Sequence, residues 1–294
     1  MLSPPPAKLR CRQITANDLE NLIELLCEGF PGRKAEFWKA GLDRLNMRHC
    51  PESAPRFGYC LDADGKLVGA ILLIAHEKLC GGDLASFTNL GSWYVKPAYR
   101  AFAHQLAAMA LKNRKASYSD VTAAPNTWAV VEQQGYQKYC GGWFFALAAL
   151  AKPQRGVNIF DFDKVHARAD VQKMSGFDLL QRHRAWGCKV LIIEEAGKLS
   201  GFVFRRFAIR SGRLKTPAML VVYAPSQDEL IRLAGNLGRH LMWRAAPILI
   251  FDANGPIPGL RGSFTDRRGR KFYKGPHAPA LCDLADTEYG VFDV

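Results

Sequence analysis

The sequence predicts two copies of one α/β unit in a single chain. Three observations carry this: a repeated glycine turn, an amphipathic helix after a proline in each half, and the same order of strands around both. The segment DADGKLVGAILLI, Asp62 to Ile74, parallels EEAGKLSGFVFRR, Glu194 to Arg206. Gly65, Lys66, Leu67 and Gly69 fall on Gly197, Lys198, Leu199 and Gly201 at a constant offset of 132. Apolar runs flank the turn in both copies, and two β-prone runs joined through a glycine form a hairpin. After WYVKPAYR, the spacing of Phe102, Leu106, Met109 and Ala110 predicts a helix over Tyr99 to Lys112. After VVYAPSQD, Leu230, Leu233, Leu237 and Leu241 predict its counterpart over Glu229 to Trp243. Pro97 matches Pro225 at an offset of 128, and the extra loop Cys80 to Asp83 in the first copy accounts for the change. Short strands then end in turns, YSDVTAAP and ILIFDANGP, with Pro125 against Pro256 at an offset of 131. An aromatic strand is expected to close each half, around Trp143 to Phe145 and around Tyr289 to Phe292.

Two helices precede the first hairpin. One starts at a capping Asn17 or Asp18 and carries Leu19, Leu22, Ile23 and Leu26 on one face. The next, Glu36 to Arg48, carries Phe37, Trp38, Leu42 and Leu45. The polar, turn-rich segment Ala151 to Phe160 sets the boundary, with domains expected at 1–152 and 153–294.

A chain of 294 residues is long enough for two such cores. With 48% hydrophobic and 23% charged residues it has the mix of a soluble globular protein. It lacks a run of about 18 apolar residues, the length a membrane-spanning helix needs. The opening MLSPPPAKLRCRQ puts prolines where a signal peptide needs an apolar helix, so a cytoplasmic location is expected. The eight cysteines form no C-x-x-C pair and the seven histidines are dispersed, so no metal is assigned. Scattered cysteines of this kind act as small core residues. The formal charge of +13 attracts polyanions: nucleic acid, acidic lipid or a phosphorylated cofactor.

The order strand, helix, helix, hairpin, strand, helix, strand, helix, strand, read with the residues themselves, resembles the GCN5-related N-acetyltransferase superfamily. The resemblance runs from Leu9 to about Leu150. Its opening, LRCRQITANDLENLIELL, looks like the family's first strand and helix, and YCLDADGKLVGAILL is similar to its second and third strands. The diagnostic segment is WYVKPAYRAFAHQLAAMAL, and TWAVVEQQGYQKY looks like the late helix with its glycine and aromatic pair, Gly135 and Tyr136. The resemblance implies two lobes, each a mixed, mostly antiparallel sheet flanked by helices. It also implies acetyl-CoA or another acyl-CoA as substrate. The acyl group would pass to an amine or hydroxyl of a small acceptor by direct attack on the thioester.

The diagnostic segment has its own physics. A strand turning into a helix leaves unpaired N–H groups at the positive end of the helix dipole, where anions bind. Arg100 adds a guanidinium fork suited to phosphate. By resemblance, the pantetheine arm would pair with Trp93, Tyr94 and Val95. The diphosphate would meet Arg100, Ala101, Phe102, Ala103, His104 and Gln105. Ala103 and Gln105 depart from the family's small-residue pattern, and Gln105 is bulky where backbone must approach phosphate.

The usual tyrosine acid is replaced by Val131, and the residue nearest the usual glutamate base is Asn89. Candidate polar groups near the thioester or acceptor are Asn89, Ser92, Asn126 and Thr127. A neutral, aligned amine can attack without them, since proximity supplies several kcal/mol. In the second half Asp228 stands where Arg100 stands in the first, which favours helix capping and repels phosphate. That half is expected to be a degenerate copy that binds no coenzyme A. Its turn RGSFTDRRGRKFYKG holds Arg261, Arg267, Arg268, Arg270, Lys271 and Lys274, read as a solvated tip or as a face toward an anionic acceptor. The expected partner is a small-molecule or anionic acceptor, with nucleic acid less favoured and no membrane. Two alternatives stand beside acyl transfer from coenzyme A: an aminoacyl-tRNA-dependent transferase, and a non-catalytic acyl-CoA-binding or regulatory protein.

Overall fold

The structure, a computed structural model, describes residues 8–211, 214–242 and 246–292. Trp243, the expected end of the second long helix, lies outside them, as do the two chain ends. In chain order the first elements are β1 (Leu9–Gln13), α1 (Leu19–Gly29), α2 (Ala35–Met47), β2 (Gly58–Ala63), β3 (Lys66–Cys80), β4 (Asp83–Val95), α3 (Ala103–Ala110), β5 (Ser117–Asp120) and α4 (Trp128–Gln133). Next come β6 (Gln137–Cys140), β7 (Gly142–Ala146), β8 (Val157–Asp161), the short α5 (Phe162–Val165) and α6 (Ala169–Gln172), and α7 (Phe177–Ala185). The chain continues through β9 (Lys189–Glu195), β10 (Lys198–Ser211), β11 (Leu214–Tyr223), α8 (Gln227–Arg232), α9 (Ala234–Met242), β12 (Ile248–Ala253), β13 (Gly262–Thr265), β14 (Lys271–Lys274) and α10 (Glu288–Val291). Among the described residues no helix is long and apolar enough to cross a membrane.

The strands form two mixed seven-stranded sheets, ordered β1-β2-β3-β4-β5-β14-β6 and β8-β9-β10-β11-β12-β7-β13. The two orders correspond position by position. In each, an antiparallel run ends in one parallel pair, β4 with β5 and β11 with β12. The repeated G-K-L turn has the same backbone in both. Asp64 (φ 50°) and Gly65 (φ 84°) in one, and Ala196 (φ 49°) and Gly197 (φ 78°) in the other, place two successive residues in the left-handed region. Such a turn matches the strand twist of a tight hairpin.

Strands β7 and β14 decide how the chain divides. β7 pairs with β12 and β13, and β14 pairs with β5. One compact unit is therefore Met1–Gln137, Phe272–Ala278 and Asp286–Val294, and the other is Lys138–Lys271 and Pro279–Ala285. This division differs from a single cut at 152. The polar segment expected to be a linker also contains β8, the edge strand of the second sheet.

Other expectations change locally. The helix after Pro97 begins as a 3-10 turn over Pro97–Phe102, and only Ala103–Ala110 is α-helical. The helix after Pro225 breaks into α8 and α9 at Leu233. Tyr289–Phe292 is not a strand: the N–H groups of Val291 and Phe292 donate to Thr287 and Glu288 carbonyls (2.9 and 2.8 Å), closing α10. Aromatic residues suit a strand only where a neighbouring strand offers an edge. Here the ring of Phe292 instead fits over Gly41 of α2.

In the first unit, α1 buries Leu22 and Leu26 of its expected face together with Leu25 and leaves Leu19 and Ile23 half-buried, and α2 buries Trp38, Leu42 and Leu45 with Phe37 half-buried. The entry to α1 is held by Asp18. It accepts from Thr15 N–H (2.8 Å), Thr15 Oγ1 (2.7 Å) and both terminal nitrogens of Arg12 (2.8 Å each). These donors hold the Asp18 carboxyl well below the usual carboxylate range, with Arg12 the largest cause. A depressed folded-state pKa contributes stability above about pH 4 that is lost as the pH falls. Asp18→Asn is therefore expected to be less stable than the parent at pH 6, with the gap narrowing at pH 3. Urea unfolding at the two pH values measures it.

All eight cysteines are free, and Cys60, Cys140, Cys188 and Cys282 are buried. The second unit has its core on β9 to β12, with Phe144, Phe202, Phe204 and Phe251 buried in one cluster with α9.

Candidate active site

The first sheet forks between β4 and β5. The parallel ladder between them joins Phe87–Asn89 to Ser117–Ser119 and goes no further. Beyond it β4 stays on β3, with Trp93, Tyr94 and Val95 opposite Ile71, Ala70 and Gly69. The register jumps from Leu90–Leu73 to Trp93–Ile71, so Gly91 and Ser92 together face one residue, Leu72. This bulge bends β4 away as β5 ends at Asp120. Among the described strands none pairs with the outer edge of β4 past Asn89.

The fork is occupied by one side chain from the far end of the sequence. Glu288 accepts from Ser92 Oγ at 2.7 Å and from the Ser92 backbone N–H through its carboxylate. Its other oxygen accepts from Thr122 Oγ1, just past β5. Its backbone N–H donates to Asn89 Oδ1 at 3.0 Å, while Asn89 Nδ2 donates to Ser119 O, also at 3.0 Å. A Cβ on Gly91 would stand 3.2 Å from Glu288 Oε1, so the glycine makes room for the carboxylate. Thr122 N–H donates to Asp120 Oδ1 at 3.2 Å, so Thr122 bridges two carboxylates, one with its backbone and one with its hydroxyl.

Both carboxyls are raised. Asp120 is pushed up to about 6, first by burial and then by the charge of Glu288. Burial raises Glu288 too, against the pull of the Thr122 and Ser92 donors and of Arg33. Two like groups so close titrate as a pair. Tyr136 lies near Asp120, with its hydroxyl pushed up by burial and then by Asp120.

Of the residues expected at the site, Asn89 and Ser92 meet here. Asn89 is buried, with both ends of its amide engaged. Asn126 and Thr127 lie exposed in the turn before α4, and Thr127 Oγ1 donates locally to Ala124 O at 2.7 Å. Trp93 is exposed and Val95 is buried. Tyr94 donates its hydroxyl to Glu28 Oε1 (3.0 Å), and Lys96 pairs with the other oxygen of Glu28 (2.8 Å).

Arg100 and Ala101 are exposed at the turn below, with Phe102, Ala103 and Gln105 half-buried. The 3-10 winding uses amides that the sequence left open. Tyr99 N–H donates to Lys96 O, and Ala103 N–H to Arg100 O. His104 turns its Nδ1 onto Ala101 O at 2.9 Å. An anion at this turn therefore meets Arg100 and fewer backbone donors than an α-helical start would offer.

Asp120, Thr122 and Glu288 were not singled out from sequence. Asp120 and Thr122 stood within the quoted YSDVTAAP. Glu288 lies 168 residues beyond Asp120, and nothing in DTEYG marks it as part of the first unit.

The basic turn also changes. Lys271 is fully buried on Asp252 (2.6 Å), Arg270 pairs with Asp266 (3.1 Å) and Lys274 donates to Gln134 O (2.8 Å). Arg261, Arg267 and Arg268 remain exposed. At the position matching Arg100, Asp228 sits in the first turn of α8, where Ser226 caps by accepting Glu229 N–H at 3.1 Å.

No protein-family profile matches the chain. No curated protein matches it either. Solved structures do. A GCN5-related N-acetyltransferase from Anabaena variabilis aligns with a TM-score of 0.59 at 10% identity, covering 95% of this chain and 74% of its own. A candidate acetyltransferase from Pyrococcus horikoshii gives 0.57 at 14% identity, covering 96% and 94%. A GCN5-related N-acetyltransferase from Kribbella flavida gives 0.55 at 12%, covering 90% and 70%. With its two mixed sheets flanked by helices and its forked first sheet, the chain has the fold of the GCN5-related N-acetyltransferases.

Proposed function

We propose that the first unit binds an acyl-coenzyme A and transfers its acyl group to a small acceptor. The observation that carries this reading is the fork. An extended arm carrying amides can add along the outer edge of β4 past Asn89, where no described strand pairs and Glu288 holds Ser92, and its thioester would then lie near Asn89 and Ser92. Arg100, exposed at the turn where β4 ends, supplies the charge a diphosphate needs. The second unit, with Asp228 at that position, is read as a degenerate copy that binds none.

Calorimetric titration with acetyl-CoA tests this. One site per chain is expected. Arg100→Ala removes one charge-assisted contact, about 1.5–3 kcal/mol, and should weaken binding roughly 10- to 100-fold. Arg100→Asp should weaken it further by adding repulsion. Equal affinity in all three proteins would mean the turn is only a helix start. No binding to the parent would remove the reading altogether.

A further inference from the structure

We propose that the second unit binds a single nucleic-acid strand along the outer half of the β10–β11 hairpin, independently of acyl transfer in the first unit. Charge, register and a cleft point to it.

The formal charge of +13 is not shared between the units. The second unit has 23 lysines and arginines against 11 acidic residues, a net +12, whereas the first has 17 against 16, a net +1. Such a field on one unit draws a polyanion to it. Part of the charge is neutralised inside the unit: Arg168, Arg184, Lys189, Arg232, Arg270 and Lys271 each meet a carboxylate. Arg206, Arg210 and Lys215 are exposed, and among the described residues none of the three pairs with an acid.

Register sets these three in one file. Side chains alternate along a strand, so Arg206 and Arg210 of β10 share a face, about 13 Å apart. Lys215 of β11 lies directly across from Arg210 and extends the file. Like charges opposite each other destabilise a hairpin, and a phosphate between them removes the penalty. Ala208, between the two arginines, and Pro217 across from it are exposed and short. Among the described residues this hairpin carries no large exposed apolar side chain, which a membrane-binding surface uses to enter lipid. The opposite face anchors the hairpin: Arg205 is buried, and the Phe207 ring packs edge-on against Trp143 at 5.5 Å.

At Arg206 the file meets a cleft of about 250 Å³ whose walls include Arg184, Lys189, Val190 and Met219. Asp163 holds Arg184 and Asp161 holds Lys189, so Arg206 is the cation of this cleft left for a phosphate. The volume is below the roughly 300–1,000 Å³ of a pocket for a whole small ligand and suits a single base. A duplex keeps its bases paired and presents two backbones. One file of cations leading to a base-sized cleft fits one strand.

The test uses the full chain and a fluorescein-labelled oligothymidylate of about 20 nucleotides, read by anisotropy from about 50 to 200 mM salt. The parent should bind it more tightly than a duplex of equal length, and more tightly than vesicles of phosphatidylserine and phosphatidylcholine in equal parts. Replacing Arg206, Arg210 and Lys215 together by Gln should weaken binding roughly 10- to 100-fold at low salt. The slope of log K against log salt should become shallower by about 2, since each phosphate contact on a single strand contributes about 0.7. Replacing the exposed Lys152, Arg155 and Lys198 by Gln removes the same charge elsewhere on the unit and should change binding less than about threefold. Lys215→Glu places opposite charges across the hairpin, so its thermal midpoint should equal or exceed the parent's while strand binding falls. Should the triple hairpin variant fail to fold, Lys215→Glu decides. Equal losses in the two triple variants would reduce the effect to net charge and overturn the proposal. So would tighter binding of the duplex or the vesicles, undiminished binding by Lys215→Glu, or a parent that ignores the oligonucleotide at low salt.

Discussion

Phe292→Ala is expected to destabilise the first unit by about 3–5 kcal/mol, the range for emptying a buried aromatic site. Phe292 is 1% exposed, and its ring sits 6.0 Å from Trp38 and 6.2 Å from Phe37. Gly41 lets it approach, since a Cβ there would lie 2.0 Å from the ring. Arg44 Nη1 donates to Val291 O at 2.8 Å, fixing the turn that holds the ring. The same turn begins with Glu288, so the loss should extend to the fork. Acetyl-CoA binding is expected to fall together with the urea midpoint. Gly41→Leu should reproduce both effects by expelling the ring instead of deleting it. Full stability in both variants would show that the C-terminal turn merely rests on α2.

Lys271→Met should cost a similar amount, about 3–5 kcal/mol, for a different reason. Lys271 and Asp252 are both buried, and their 2.6 Å contact sits beside Trp143, with Lys271 Nζ 5.8 Å from the ring centroid. Removing the amine leaves a carboxylate in an apolar core. Burial already pushes Asp252 up; Cys140 and, above all, Lys271 pull it down. Without that partner Asp252 should take up a proton on folding. A folded-state pKa above the unfolded one means that stability present at low pH is lost as the pH rises. The deficit of Lys271→Met relative to the parent should therefore shrink on acidification. The double replacement Lys271→Met with Asp252→Leu should recover most of the loss, because no buried charge remains. Urea titrations of the three proteins at pH 5 and pH 8 measure both signs. A deficit independent of pH would refute the ionic account.

Much of the fold was legible because it is written in local patterns. The G-K-L turns declare two hairpins, since only a narrow set of residues accepts successive left-handed positions. The apolar stripes of α1 and α2 are read from a helical period, which needs no knowledge of the partner surface. Asn89 and Ser92 were in view because they lie on the strand next to a recognisable proline turn.

What tertiary structure alone decided is long-range pairing. An aromatic run such as GWFFA suits any sheet with a free position, and nothing in its composition says that it pairs with β12, about 100 residues later in the chain. Lys271 reads as one of a run of surface cations until its neighbour across the core is known to be Asp252. Phe102 and Leu106, on either side of the change from 3-10 to α winding after Pro97, pack in one cluster with Val68, Ile71 and Val95, partners that lie elsewhere in the chain. Glu288 is the clearest case. Its neighbours Thr287 and Tyr289 give a short helix, but its role follows from the bulge at Gly91 and Ser92, the early end of β5, and the fit of Phe292 over Gly41. Local sequence sets what each segment can be, because backbone and side-chain preferences act over a few residues. The placing of two carboxylates 168 positions apart in one fork follows only from how the segments pack.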